Sequence, residues 1–198
     1  GIDLGANLID TAEMYKTECA VGKAIGGRRD KVFLMTKNCE RDYEGSKRNL
    51  EDSLRRLRTD HLDLWQFHEM NWDNEPDWVF DKGGLKYALE AQKAGKVRYI
   101  GCSNFAAWQT CEAIWTSRSL GLHGFISVQP LYNLLNRAME RELMPLCQEY
   151  GLGIIPYFPL ASGFLTGKYR PDQPAPEGTL QGHGSDWPLS LCPEDHCP

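Results

Sequence analysis

The chain has 198 residues, a formal net charge of −5 and 41% hydrophobic residues, a globular composition whose acidic balance argues against general nucleic-acid binding. No apolar run approaches the ~20 residues of a membrane span, and no charged segment followed by an apolar stretch marks a secretory signal. The seven cysteines are odd in number and scattered, which suits a reducing cytoplasm better than a disulfide framework.

Gly1 to Ala6 reads as the end of a preceding helix and its turn, and Leu8–Asp10 as a buried strand that turns polar as it leaves the core. Glu18 to Ile25 reads as a short helix stopped by Gly26-Gly27. A strand over Val32–Thr36 and a polar loop over Asn38 to Gly45 come next. Ser46 to Leu57 is amphipathic, with Leu50, Leu54 and Leu57 on one face. After a turn at Thr59-Asp60, His61–Phe67 is a strand. Glu69 to Phe80, with Trp72, Pro76 and Trp78, reads as a long loop of the kind that shapes a substrate pocket. Gly84–Ala94 is a helix, Val97–Gly101 a strand, Ala106–Leu120 a helix and Phe125–Gln129 a strand. Asn136 caps a helix over Arg137–Tyr150, and Gly153–Tyr157 is the last strand.

Strands and helices therefore alternate, with about six strands, in the βαβ pattern of a parallel α/β fold. A doubly wound sheet fits this alternation as well as a barrel does. No Gly-x-Gly-x-x-Gly follows any strand, which weakens a dinucleotide-binding fold of the doubly wound kind. A complete (β/α)8 barrel typically needs about 250 residues, so a barrel here is expected to be incomplete, and the absence of an initial Met suggests that a native N-terminus is missing. The expected organisation is a partial barrel over residues 1–170 and an irregular Pro/Gly-rich tail over 171–198. Cys192, Cys197, His183 and His196 in that tail fit no common zinc spacing, and no metal is expected.

Three strands end in functional side chains: Asp10, Lys37 just past Thr36, and His68 just past Phe67. Tyr15 follows the first strand. In a parallel barrel the strand C-termini converge on one mouth, so these four side chains can share a pocket. In that order they resemble the aldo-keto reductase superfamily. The resemblance continues through Gly101-Cys-Ser-Asn-Phe105, Ser127-Val-Gln-Pro-Leu-Tyr-Asn133 and Tyr157-Phe-Pro-Leu-Ala-Ser-Gly163, and it covers roughly residues 1–175.

The residues themselves support carbonyl reduction. Side chains offer no hydride, so a nicotinamide must be borrowed. A free tyrosine has a pKa near ~10, and a nearby cation lowers it. Lys37 can supply that cation, Asp10 can hold it, and neutral His68 can donate to the carbonyl oxygen. The resemblance implies these same roles, with Tyr15 the general acid. It also implies that Ser103, Asn104 and Gln129 bind the nicotinamide amide and that Tyr157 stacks on its ring. Phe158 stands where serine is frequent in the family, Leu160 to Gly163 would pass near the pyrophosphate, and Lys168 can meet a phosphate. The implied cofactor is NADPH, with NADH as the alternative, and the partner is a small carbonyl compound.

The family's first strand should precede Gly1. The basic residues that grip the adenosine 2′-phosphate should follow Arg170, yet residues 171–198 contain no lysine or arginine. The expectation is a reductase truncated at both ends. The competing expectation is a catalytically silent barrel acting as a binding or regulatory subunit. The histidine at position 68, lacking in the family's potassium-channel β subunits, favours the enzyme.

Overall fold

The computed structural model describes residues 1–68, 75–169 and 174. Six strands, β1 (Leu8–Asp10), β2 (Phe33–Asn38), β3 (Leu62–Phe67), β4 (Val97–Ser103), β5 (Ser127–Gln129) and β6 (Gly153–Ile154), form one sheet. All neighbours are parallel and the spatial order follows the chain order, β1-β2-β3-β4-β5-β6. A doubly wound sheet reverses its strand order at a switch point. This sheet never does, so its winding is that of a barrel, here a partial one.

Among the described residues six α-helices connect or flank the strands: α1 (Glu18–Ala24), α2 (Tyr43–Leu57), α3 (Glu75–Asp81), α4 (Gly84–Lys93), α5 (Ala107–Ser119) and α6 (Leu143–Tyr150). None of the described helices is long and apolar enough to cross a membrane. Helix α2 begins one turn before the expected Ser46, because Asp42 caps it by accepting a bond from the Gly45 amide at 2.8 Å. Part of the expected long loop after β3 is helical as α3. The expected helix over Arg137–Tyr150 is a 3-10 turn at Ala138–Glu140 followed by the shorter α6. Strands β5 and β6 are also shorter than their apolar runs, because pairing with a neighbouring strand, not hydrophobicity, defines a strand's extent. The first six residues hold a 3-10 turn at Ile2–Leu4.

The main core lies between the sheet and its helices. Leu34, Trp65, Phe67, Ile100 and Val128 pack against Leu50, Leu54, Leu57, Leu85 and Ala88, with Trp65 edge-on to Tyr87 and Phe67 edge-on to Phe125. Register places Lys37 beside Gln66 and Gln66 beside Gly101. Gly101 is needed there, because a Cβ would run into Ser127 Oγ and lie 3.0 Å from the Ser127 carbonyl oxygen. Asp63 ties the far end of the sheet together. Its buried carboxylate accepts from the Leu34 amide at 2.9 Å and pairs with Arg29 at 2.8 Å and Arg98 at 3.0 Å.

Among the described residues Cys39, Cys102, Cys111 and Cys147 form no disulfide, whereas Cys19 is disulfide-bonded, a departure from the reading that the cysteines suit a reducing compartment. The tail expected over 171–198, with its cysteine and histidine cluster, lies outside the described residues apart from Pro174, as does Trp72.

Candidate active site

The C-terminal ends of β1 and β2 are adjacent, and Asp10, the last residue of β1, and Lys37, one residue before the end of β2, build the charged centre. Lys37 is 1% exposed. Its ammonium pairs with the Asp10 carboxylate and donates to the Thr11 carbonyl oxygen at 2.8 Å. Burial pulls the Lys37 pKa down from the usual lysine range, and the Asp10 carboxylate opposes that pull.

Tyr15 lies at the end of a 3-10 turn, Glu13–Tyr15, that follows β1. Its ring is 42% exposed, with the Lys37 ammonium 5.1 Å from the ring centroid. Its hydroxyl is 3.3 Å from His68 Nε2, and the two rings meet edge to face. His68 extends the β3 ladder, its amide donating to the Asn38 carbonyl at 2.8 Å. It is 5% exposed, and its pKa is lowered to about 4 by burial, then by the charges of Lys37 and Arg41. The imidazole is therefore neutral at neutral pH. A neutral ring can donate one hydrogen bond without carrying charge.

The predicted cofactor residues begin on the next strands. Ser103 ends β4 in register with Gln129, which ends β5. The Asn104 amide donates to the Gln129 carbonyl at 3.2 Å, and Asn104 takes a left-handed φ of 59° as the chain turns off the strand. The Gln129 side chain reaches back to the charged centre, Nε2 donating to Asp10 Oδ2 at 2.8 Å. Tyr157 follows β6 and bridges to Leu131, its amide donating to the Pro130 carbonyl at 3.0 Å. Asn104 and Tyr157 line a cleft of about 620 Å³ with Phe105, Trp108, Pro130 and Met139, and the Asp10, Tyr15, Lys37 and His68 side chains lie outside its lining.

Phe158, Leu160, Gly163 and Lys168 form a separate segment that makes no described bond to the charged centre. Phe158 accepts from Asn133 Nδ2 at 3.0 Å. Phe158, Ala161, Ser162 and Gly163 all have φ between 48° and 91°, a concentration of left-handed backbone that is costly for residues other than glycine. The Lys168 side chain folds back toward Gly163, whose Cβ, if present, would lie 2.9 Å from Nζ.

Three contributors to the site were not evident from the sequence. Thr11 uses a backbone oxygen, which carries no sequence signal. Arg41 donates to the His68 carbonyl at 2.7 Å, and Cys39 Sγ sits 3.7 Å from His68 Nδ1. Both lie in the polar stretch after β2, where their position just beyond Lys37 was the available clue.

Comparison with known proteins agrees with this architecture. The model of the aldo/keto reductase family matches residues 2–190. The chain belongs to the aldo/keto reductase family. It is 37% identical over 192 residues to the uncharacterized oxidoreductase YrpG of Bacillus subtilis, covering 84% of this chain and 57% of that protein. It is 38% identical over 167 residues to the methylglyoxal reductase YeaE of Escherichia coli, covering 81% and 55%. An aldo/keto reductase from Klebsiella pneumoniae, crystallised with NADP and acetate, superposes with a TM-score of 0.70 at 33% identity, covering 82% of this chain and 56% of that one. This aldo/keto reductase chain thus spans little more than half the length of these relatives.

Proposed function

We propose that this protein reduces an aldehyde or ketone to an alcohol, using NADPH, or NADH in its place, with Tyr15 as the proton donor. The observation that carries the reading is the convergence of the Tyr15 hydroxyl, the His68 ring and the Asp10–Lys37 pair at the ends of three consecutive strands. Family membership supports it, as does the NADP bound to the Klebsiella relative.

The donor set fits a nicotinamide. Ser103 and Gln129 sit side by side in register with Asn104 next in the chain, offering a hydroxyl and two amides to a carboxamide. The Gln129 amide nitrogen is committed to Asp10, so its oxygen is the atom offered to a carboxamide N–H. Tyr157 presents a partly exposed ring for stacking. The left-handed segment from Phe158 to Gly163, with Lys168 beside it, is assigned to the phosphates. The bound dinucleotide supplies the hydride that side chains lack.

The chain's own residues manage the proton and the oxygen. His68, neutral, donates from Nε2 to the carbonyl oxygen and holds it near the Tyr15 hydroxyl. As negative charge develops there, this bond strengthens. Tyr15 then gives up its proton. The phenolate that remains is favoured by the adjacent Lys37 ammonium, which Asp10 and the Thr11 carbonyl hold in place.

The test is isotopic. NADPH deuterated at C4 is incubated with this chain and 4-nitrobenzaldehyde, and the alcohol is analysed by mass spectrometry. Deuterated alcohol is expected, and its amount should fall to background with Lys37→Met. Equal incorporation by that variant, or none by the unaltered chain, would overturn the reading.

A further inference from the structure

Tyr15 rides on a loop, residues 12–16, whose two flanking residues are fastened to each other. The hydroxyls of Thr11 and Thr17 lie 2.7 Å apart, in a hydrogen bond that either can donate. Between them the chain makes a 3-10 turn, the Tyr15 amide donating to the Ala12 carbonyl at 3.1 Å and the Lys16 amide to the Glu13 carbonyl at 3.2 Å. Lys16 then takes a left-handed φ of 58° as the chain turns back toward Thr11. A residue with a Cβ disfavours that conformation and holds it only where surrounding contacts impose it.

Thr17 stands at the N-cap of α1, where a threonine hydroxyl ordinarily accepts from an amide of the first helical turn. It makes no such bond, and its hydroxyl is given to Thr11 instead. Thr11 is 1% exposed, and its other polar groups are committed as well. Its amide donates to the Met35 carbonyl at 3.1 Å, and its carbonyl accepts from the Lys37 ammonium at 2.8 Å. The other side of the clasp has a fixed base. Glu18, next to Thr17 and 1% exposed, accepts from Thr36 Oγ1 at 2.7 Å and pairs with Arg56 at 3.2 Å. We propose that Thr17 is a positioning residue: through its bond to Thr11 it closes the loop and sets the Tyr15 hydroxyl against His68 Nε2. It acts through Thr11 and the loop, not on the reacting atoms. The catalytic meaning of this placement rests on the reductase reading, whereas the placement itself does not.

Thr17→Val keeps the shape of the side chain and removes the hydroxyl, and Thr17→Ser keeps the hydroxyl. Because Thr17 does not cap α1, neither change removes a helix cap. In the full chain with 13C-labelled tyrosine and histidine rings, a nuclear Overhauser contact is expected between Tyr15 and His68, whose ring centroids are 5.4 Å apart. The contact should be lost in Thr17→Val and kept in Thr17→Ser. In single turnovers with NADPH and 4-nitrobenzaldehyde, Thr17→Val should be slower by roughly tenfold or more, since misplacing a reacting group by about 1 Å costs on the order of 10²-fold. Thr17→Ser should stay near the unaltered rate, and NADPH affinity should stay within about twofold in both, because the loop acts in the chemical step. A ring contact that survives Thr17→Val, is lost in Thr17→Ser or is missing from the unaltered chain would overturn the proposal, as would an unchanged rate in Thr17→Val. Should the unaltered chain reduce nothing while the ring contact still follows the hydroxyl at position 17, the reductase reading falls and the clasp stands.

Discussion

Gln129 Nε2 donates to Asp10 Oδ2 at 2.8 Å, joining the end of β5 to the end of β1 across the mouth of the sheet. The other Asp10 oxygen holds the Lys37 ammonium. One carboxylate therefore orders both the proposed proton-delivery group and a proposed cofactor ligand.

That dependence predicts a contrast between two substitutions. Asp10→Ala leaves the buried Lys37 ammonium without its counter-charge, and breaking a buried pair costs ~3–5 kcal/mol. Because the Asp10 side chain is 34% exposed, water can replace part of the loss, and a cost of about 2–3 kcal/mol is expected. Lys37→Met removes the buried charge itself and should cost less than Asp10→Ala, although it removes reduction. Urea unfolding of both variants checks the order, and a larger loss for Lys37→Met would contradict it.

Tyr15→Phe should lower the single-turnover rate of 4-nitrobenzaldehyde reduction by roughly 10²–10⁴-fold, the usual contribution of a positioned acid. NADPH affinity, measured by fluorescence quenching, should stay within about twofold, because the hydroxyl acts in the chemical step and not in holding the dinucleotide. A Phe variant that retained most of its rate would remove Tyr15 from the role.

His68 makes stability pH-dependent in a defined window. Its folded pKa of about 4 lies below the ordinary 6.5, so between these values the unfolded chain binds a proton that the folded chain does not. Stability must therefore fall as pH drops from 6.5 toward 4, by up to roughly 3 kcal/mol from this group. His68→Gln should flatten that part of the stability profile. The His68 ring resonances in an NMR titration should show the neutral form persisting at pH 5.5. Titration near 6.5 would mean that the ring is solvated.

Gly101→Ala tests the packing beneath the site. The new methyl would meet both the Ser127 hydroxyl and its backbone oxygen, and overpacking costs about 1–3 kcal/mol. Adding Ser127→Ala should restore only part of the lost Tm, since the backbone oxygen stays in place.

The sequence alone showed which polar residues lie at the C-terminal ends of three strands. Each strand is a short apolar run, so Asp10, which ends β1, and His68, just past β3, can be read locally, whereas β2 runs through Lys37 to Asn38, two residues beyond the expected Thr36. The helix face of Leu50, Leu54 and Leu57 was legible for the same reason. Strand order was not. The alternation of strands and helices fits both a doubly wound sheet and a barrel, and the unreversed order of six parallel strands is set by how βα units pack on one another. The cap at Asp42 and the contraction of the last helix to Leu143–Tyr150 depended on local bonds that periodicity does not carry. Tertiary structure also decided the partners of the site: Gln129 on Asp10, Arg41 on the His68 carbonyl, Cys39 beside the His68 ring. The first pair is 119 residues apart in sequence, and only parallel pairing through every intervening strand brings such atoms within a hydrogen bond of each other.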